Sequence, residues 1–123
     1  MKSMLGAGWL ILSIAVFWGG SAEQVNAQSD AQCGVTMPQG VDFFQCSCAP
    51  DQGSTAPFWG NGPYTADSDL CSAARHAGIV GEHGGAIKVL RLQGLQSYWG
   101  STSNGWTSQS WGSYSSSITF NRN

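Results

Sequence analysis

The chain has 123 residues, which suits one small domain at about 100–200 residues per domain. Charged residues make up 10% of the sequence and aromatic residues 11%, a balance that excludes a protein that is largely disordered. The formal net charge of -2 argues against a dedicated nucleic-acid binder, because such proteins usually carry a basic excess. The composition also excludes collagen, coiled coils and multi-pass membrane proteins.

The first 27 residues have the features of a secretory signal peptide. A basic residue near the start precedes an uncharged, largely apolar run over residues 4–20, and small residues follow it. This pattern predicts cleavage after Ala27, with Ala22 as the alternative site. Residues 28–32 then form a short linker, and we expect the mature chain to be secreted or periplasmic and to lack a transmembrane span. An uncleaved membrane anchor is the competing interpretation, although the apolar run is short for a membrane span.

Four cysteines lie in the expected mature chain, and an oxidising compartment would join them in two disulfides. They are Cys33, Cys46, Cys48 and Cys71. A bridge between Cys46 and Cys48 would close a very small, strained ring. The spacing leaves two pairings open: Cys33–Cys46 with Cys48–Cys71, and the crossed Cys33–Cys48 with Cys46–Cys71.

One strand and one loop are predicted before residue 64. The segment Val41–Cys46 is short, aromatic and β-branched, which favours a strand. The following segment, Ala49–Pro63, is rich in Gly and Pro and is therefore expected to be a loop. Phe58 and Trp59 are the aromatic residues expected to anchor this loop to the core.

The clearest element is a helix predicted over Asp67–Ala77. Thr65, Asp67 and Ser68 offer oxygen atoms for its N-cap, and Gly78 is the expected stop. The apolar positions recur at helical spacing and are mostly alanine: Leu70, Ala73, Ala74 and Ala77. Because small side chains allow other backbone to come close, we expect this helix to be packed centrally rather than on the surface.

Strands are predicted again after the helix. The segment Ala86–Leu92 has Ile87 and Val89 on one face, which favours a strand. From Ser97 to Phe120 aromatic residues are separated by turn residues, and Asn104-Gly105 is a strong two-residue hairpin signal. A flexible Ser- and Gly-rich linker is the competing interpretation of this last segment, but such a linker has no reason to carry spaced aromatic residues.

A family resemblance is carried by the ordered run from Trp59 to Gly78, which has the pattern WG-x-G-x-YT-x-DS-x-x-C-x-AA-x-HAG. The runs GGAIKV at 84–89, YWGS at 98–101 and NGWTS at 104–108 follow it. Over residues 33–120 the chain resembles the LCCL domain. This resemblance implies an α+β fold in which a central helix is wrapped by antiparallel β-strands. It also implies the sequential pairing, Cys33–Cys46 and Cys48–Cys71.

No catalytic signature accompanies this pattern. The sequence contains no nucleophile elbow, no phosphate-binding glycine loop and no zinc-protease motif. A zinc site or a Cys–His pair using His76 or His83 is disfavoured, because an even cysteine count after a signal peptide indicates disulfides. We therefore predict a non-catalytic protein with no metal and no cofactor. A hydrolase that uses Ser or His is retained only as a third hypothesis.

A binding module is the favoured function. The resemblance implies recognition of microbial surface material, and lipopolysaccharide is the ligand associated with some members of the family. Basic side chains suit phosphate or acidic sugar, and tryptophans can stack on sugar rings or enter acyl chains. The candidate ligand contacts are Arg75, Lys88, Arg91, Trp106 and Trp111.

Competing interpretations apply to each of these side chains. Core packing is expected for Trp59 and Trp99 and is the alternative role for Trp106 and Trp111. A solvated surface is the alternative role for the basic residues. The predicted partner is a glycolipid or an envelope polysaccharide, bound through a local patch because the net charge of -2 gives no broad attraction to anionic membranes. The alternative function is a structural or protein-interaction domain of the cell envelope or the extracellular space, with a protein partner.

Overall fold

The computed structural model describes residues 31–52 and 56–122. The expected signal peptide over residues 1–27 lies outside these ranges, as do the first three residues of the linker at 28–32. The described chain contains six strands and one helix. They are β1 (Phe43–Cys48), β2 (Tyr64–Thr65), α1 (Leu70–His76), β3 (Gly85–Gln93), β4 (Thr102–Ser103), β5 (Trp106–Thr107) and β6 (Ser116–Phe120). The α+β class implied by the resemblance is confirmed.

Four of the strands form one antiparallel sheet in the order β1-β3-β6-β2, while β4 and β5 pair separately. Phe44, Val89 and Phe120 stand opposite one another across the first three strands of this sheet. Because strand side chains alternate between faces, these residues share one apolar face with Cys46, Ile87 and Ile118. That face and Leu70 of α1 belong to the same hydrophobic core.

The helix α1 lies in the centre of the domain. All seven of its residues are buried, which confirms the expectation drawn from its small side chains. Gly78 follows the helix with a φ of 78°, a left-handed conformation that glycine adopts without a Cβ clash.

The N-terminus of α1 differs from the sequence prediction, because the helix starts at Leu70 and the N-cap is Asp69. The Asp69 carboxylate accepts a hydrogen bond from the Ser72 N–H at 3.0 Å. The hydroxyl groups of Thr65 and Ser68, which were expected to cap the helix, bind each other at 2.9 Å instead. An N-cap side chain reaches only two or three residues ahead, so these positions are too early for a helix that starts at Leu70.

The disulfides are Cys33–Cys46 and Cys48–Cys71, the sequential pairing that the resemblance implied. Cys46 and Cys48 are two residues apart on β1, so both point to the same, buried face of the sheet. From this face the Cys46 sulfur is bonded to Cys33 in the segment before β1, and the Cys48 sulfur is bonded to Cys71 in α1. A single residue between the two cysteines is therefore sufficient for the strand to hold both segments.

The predicted turn at Asn104-Gly105 joins β4 to β5. Asn104 has a φ of 53° and Gly105 a φ of 82°. Two consecutive positive φ values are what a two-residue hairpin turn of type I′ requires, so the hairpin prediction is confirmed. In the described ranges, no helix is long and apolar enough to cross a membrane.

Candidate ligand-binding surface

Arg75, a predicted ligand contact, lies inside the fold with 2% of its surface exposed. Its guanidinium donates hydrogen bonds to the backbone carbonyl oxygens of Gly81 at 3.2 Å, of Ala49 at 2.9 Å, and of Gln52. It thereby ties α1 to the loop after β1 and to the turn before β3. Buried charge needs such partners, so Arg75 is a structural residue, and this corrects its interpretation as a ligand contact.

Arg91 is held in the same way. This half-buried side chain donates to the carbonyl oxygens of Val41 and Pro38, both at 2.9 Å, and to the Ser116 hydroxyl at 3.0 Å. Arg122 likewise donates to the carbonyl oxygen of Ala77 at 2.5 Å.

Lys88 differs from these arginines. Among the lysines and arginines in the described part of the chain, it is the one whose side chain has no hydrogen bond or ion pair within the protein. The basic residues therefore do not form the shared patch that the sequence suggested.

The tryptophans are distributed differently from the prediction. Trp99 is 73% exposed and Trp111 is 52% exposed, so the expectation of core packing was wrong for Trp99. Trp59 and Trp106 are half-buried. Trp106 packs against the core, and its ring centroid lies 5.6 Å from the Arg75 guanidinium carbon. Trp106 therefore supports a buried arginine, whereas Trp99 and Trp111 face solvent.

Trp99 and Trp111 line the same surface cleft, which has a volume of about 300 Å³. We call it the tryptophan cleft, and its residues are Ser97, Tyr98, Trp99, Ser110, Trp111 and Gly112. This volume lies at the lower end of the range for small-ligand sites, about 300–1,000 Å³. The cleft offers aromatic rings with hydroxyl groups beside them.

Backbone pairing positions the two tryptophans. Tyr98 and Trp111 form an antiparallel bridge in which each N–H donates to the other carbonyl at 2.8 Å. The Tyr98 ring is buried, and its hydroxyl lies 2.6 Å from the Ser117 hydroxyl on β6. Neighbouring residues of an extended chain point to opposite sides, so burial of Tyr98 directs Trp99 outward. Alternation alone indicates that one of these two adjacent aromatic side chains is exposed, but no nearby residue indicates which one.

Trp111 rests on a second aromatic side chain. Its ring centroid lies 5.9 Å from that of Trp59 at an interplanar angle of 59°. The Trp59 backbone N–H in turn donates to the Ser68 hydroxyl at 3.0 Å. This tilted aromatic pair anchors Trp111 to the segment that leads into α1.

Close backbone contacts fix the loop below the cleft. The Ser101 N–H donates to the Ser108 hydroxyl at 2.9 Å, and the Ser108 N–H donates to the Ser101 carbonyl at 2.8 Å. A Cβ atom at Gly100 would lie 2.6 Å from the Ser108 carbonyl oxygen, so only glycine fits this position without displacing backbone. The backbone that follows Trp99 therefore packs directly against the backbone of residues 108–110.

The segment that forms the cleft carries no charge. Residues 92–121 contain no Asp, Glu, Lys, Arg or His. The polar groups that this stretch contributes are hydroxyls, side-chain amides, indole N–H groups and backbone. This makes the cleft chemically unlike the clusters of arginine and carbonyl oxygen that hold α1 and β3.

His76 lies at the centre of a hydrogen-bond network that could resemble a catalytic pair. Its Nδ1 lies 2.8 Å from the Tyr64 hydroxyl, and its Nε2 lies 3.1 Å from both the carbonyl oxygen and the hydroxyl of Ser101. A carbonyl oxygen only accepts, so these partners assign the ring proton to Nε2. His76 then donates to Ser101 and has no free nitrogen with which to remove the serine proton.

The other members of this network agree with that assignment. Desolvation raises the pKa of Tyr64 to about 12 against the opposing effect of Arg122, so its hydroxyl keeps its proton and donates to His76. The Ser101 hydroxyl donates to the Asn61 side-chain oxygen at 2.9 Å. The network links α1 to two loops, and its geometry does not favour the hydrolase hypothesis.

The cysteines do not form a metal centre. The sulfur atoms of Cys33, Cys48 and Cys71 lie within 4.8 Å of one another, but each belongs to a disulfide. His83 is exposed and lies 3.6 Å from the Glu82 carboxylate. Zinc binds thiolates rather than disulfide sulfur, so the geometry does not favour the zinc interpretation.

Comparison with known proteins identifies the family. A family model described as "LCCL domain" matches residues 22–118. The chain belongs to the LCCL domain family.

Two named relatives share parts of this LCCL domain. Vitrin from Mus musculus is 43% identical over 47 residues, which is 38% of this chain and 7% of vitrin. Cochlin from Homo sapiens is 36% identical over 61 residues, which is 50% of this chain and 11% of cochlin. Cochlin from Mus musculus is 37% identical over 60 residues, which is 49% of this chain and 11% of that cochlin. The match therefore spans only about a tenth of the length of these relatives.

Proposed function

We propose that this LCCL domain is a non-catalytic, extracellular or periplasmic binding module that recognises a microbial surface glycan, either lipopolysaccharide or an envelope polysaccharide. The observation that carries the proposal is the tryptophan cleft, in which Trp99 and Trp111 are 73% and 52% exposed. Two disulfides and the expected signal peptide support export to an oxidising compartment.

The physical argument starts from the cost of exposing these rings. A large aromatic surface in water is unfavourable, and a pair of such rings on a small domain marks a binding surface more often than chance. Tryptophan is also enriched among the residues that supply most of the binding free energy at interfaces. A sugar presents polarised C–H bonds on one face, and these suit the electron-rich face of an indole ring.

The test is a titration of the oxidised protein against lipopolysaccharide and against peptidoglycan by calorimetry. We expect saturable binding to at least one of them, and we expect Trp99→Ala to weaken it at least about tenfold, a loss of about 1.4 kcal/mol. Phe43→Ala is the matched control, because Phe43 is 51% exposed but does not line the cleft. Absence of saturable binding to both ligands would contradict the proposal.

A protein partner is the second candidate function. Aromatic side chains surrounded by Ser and Gly are also typical of surfaces that bind proteins, and the tryptophan cleft has this composition. A pull-down from an envelope extract distinguishes the two functions. Recovery of one protein by the wild type but not by Trp99→Ala, together with no glycan binding, would favour a structural or interaction domain.

A further inference from the structure

We infer that the tryptophan cleft holds an uncharged sugar ring, and not the phosphate, acidic sugar or acyl chain of a glycolipid. This inference rests on the proposed function and specifies the part of the ligand that the cleft recognises. Two observations support it: the groups that line the cleft, and the backbone carbonyls elsewhere in the domain to which the arginines donate hydrogen bonds.

An anionic group finds no charged partner in the cleft. A phosphate or carboxylate loses hydration when it binds and needs charged or multiple N–H donors in exchange. The residues that line the cleft include no charged side chain, and the whole stretch 92–121 is uncharged. The guanidinium groups of Arg75, Arg91 and Arg122 donate to backbone carbonyls elsewhere in the domain.

An acyl chain also fits poorly. Burial of hydrocarbon is favourable only in proportion to the apolar area removed from water. Trp99 and Trp111 present open faces rather than a closed tunnel, since 73% and 52% of their surfaces are accessible. Ser97, Ser110 and Gly112 occupy the remaining wall, so a chain laid in the cleft would stay in contact with water and with hydroxyl groups.

A neutral sugar ring matches both kinds of lining group. Its C–H face can pack on an indole while its hydroxyl groups meet serine hydroxyls. The Ser110 hydroxyl accepts the Gly100 N–H at 2.9 Å, and it donates its own proton to no group in the described protein. Ser110 therefore keeps a hydroxyl proton beside Trp111 that a sugar oxygen can accept.

Contacts within the domain hold much of the cleft in place. The Tyr98–Trp111 backbone bridge and the close backbone contact at Gly100 fix the backbone beside both tryptophans, and the Trp59 ring packs against the Trp111 ring. A preformed site loses little conformational entropy on binding, which matters for a small contact area.

The experiment presents the oxidised protein to a set of immobilised glycans. Neutral members are a β-glucan, a mannan and a galactan, and the anionic member is polygalacturonate. Lipopolysaccharide is included intact, dephosphorylated and deacylated. Binding is measured at low and at high salt, about 0.05 M and 0.5 M NaCl, because high salt screens contacts between exposed charges.

We expect at least one neutral glycan to bind, with an affinity that changes less than about twofold between the two salt concentrations. Trp99→Ala should weaken this binding at least about tenfold, a loss of about 1.4 kcal/mol, because it removes the more exposed of the two rings on which the sugar packs. Ser110→Ala should weaken it by about two- to tenfold, the loss of one hydrogen bond. Phe43→Ala should leave it unchanged.

Other results would separate this inference from the proposed function. Binding confined to phosphorylated or acylated lipopolysaccharide would overturn the inference and leave the proposed function intact. Binding confined to polygalacturonate would overturn the inference. Binding of neutral glycans that Trp99→Ala does not affect would also overturn it, because the sugar would then lie outside the cleft. Absence of binding to every glycan of this set would overturn the inference, and absence of binding to peptidoglycan as well would overturn both.

Discussion

Two regions of this domain fix irregular backbone by different chemistry. The clamped region, residues 31–93, uses two disulfides and two arginines that donate to backbone carbonyls. The cleft region, residues 94–115, uses serine hydroxyls, a glycine at a close backbone contact and tryptophan packing. The first contains the buried helix, and the second exposes the rings of the tryptophan cleft.

The groups that stabilise the fold are therefore separate from those to which we assign recognition. The disulfides and the Arg75 guanidinium stabilise the fold, but their burial keeps them from contact with a ligand. Hydroxyl and backbone contacts are individually weaker, yet they position side chains that remain exposed. We therefore expect substitutions in the clamped region to change the free energy of unfolding, and substitutions of exposed cleft residues to change binding.

The largest expected effect is the loss of the bond from β1 to α1. The double variant Cys48→Ser with Cys71→Ser should lower the free energy of unfolding by about 2–5 kcal/mol. Cys33→Ser with Cys46→Ser should cost about 0.5 kcal/mol less by loop entropy alone, because its loop spans 13 residues rather than 23. Thermal unfolding with and without reductant measures both. A melting temperature that reductant leaves unchanged would contradict the stabilising role of the two disulfides.

The next effect concerns the buried arginine. Arg75→Met keeps much of the side-chain volume but removes three hydrogen bonds to carbonyl oxygens. We expect a loss of about 2–4 kcal/mol, because three hydrogen bonds from a charged donor are lost, although the carbonyl oxygens of Ala49 and Gly81 still accept the N–H groups of Gln52 and Gly84. Arg91→Met is the control, and it should cost about 1 kcal/mol, since this side chain is half-buried and water can replace it. Equal losses of unfolding free energy for the two variants, measured by urea denaturation, would contradict the distinction between the buried and the half-buried arginine.

Tyr64→Phe should cost about 1–2 kcal/mol at neutral pH, because it removes the donor to the His76 ring. The pKa of Tyr64 is raised from 10.0 to about 12 in the folded protein, so the folded state keeps a proton there that the unfolded state loses. This contribution is fully present below pH 10 and declines as the pH rises towards 12. The difference in unfolding free energy between wild type and Tyr64→Phe should therefore be constant below pH 10 and shrink above it. A difference that grows above pH 10 would contradict the assignment.

The smallest effect on stability is expected at Trp99. Because this side chain is 73% exposed, Trp99→Ala should change the free energy of unfolding by no more than about 0.5 kcal/mol. The same variant should bind glycan at least about tenfold more weakly. Trp59→Ala is the contrasting variant, since Trp59 is half-buried and supports Trp111, and it should lower both stability and binding. A strongly destabilised Trp99→Ala protein would show that the two regions are not separable.

Much of the fold was predictable because local signals and packing agree. The strand predicted over Ala86–Leu92 is β3, the turn at Asn104-Gly105 is a hairpin, and the small-residue helix is buried. Helix position was less certain, since several capping residues stand in a row before Leu70. The two-residue strand β2 was missed because it exists only through its pairing with β6.

The site was less predictable because burial depends on distant partners. Arg75 has the sequence features of a solvated residue in the last turn of a helix. It is buried because carbonyl oxygens from two other segments converge on it. Trp99 is a large, mostly apolar residue of the kind expected in a core, but the bridge between Tyr98 and Trp111 turns it outward. Neither the contacts of Arg75 with these carbonyl oxygens nor the pairing of Tyr98 with Trp111 is encoded by residues that are nearby in the sequence.

The absence of charge from residues 92–121 has a kinetic consequence. An uncharged contact surface cannot steer a partner from a distance, so encounters occur at the rate of undirected collision, about 10⁵–10⁶ M⁻¹s⁻¹ for proteins. One cleft with two indoles gives a short-lived complex. Lasting attachment to a repetitive polymer would then require several copies of the domain acting together, since linked sites multiply residence time without any new contact.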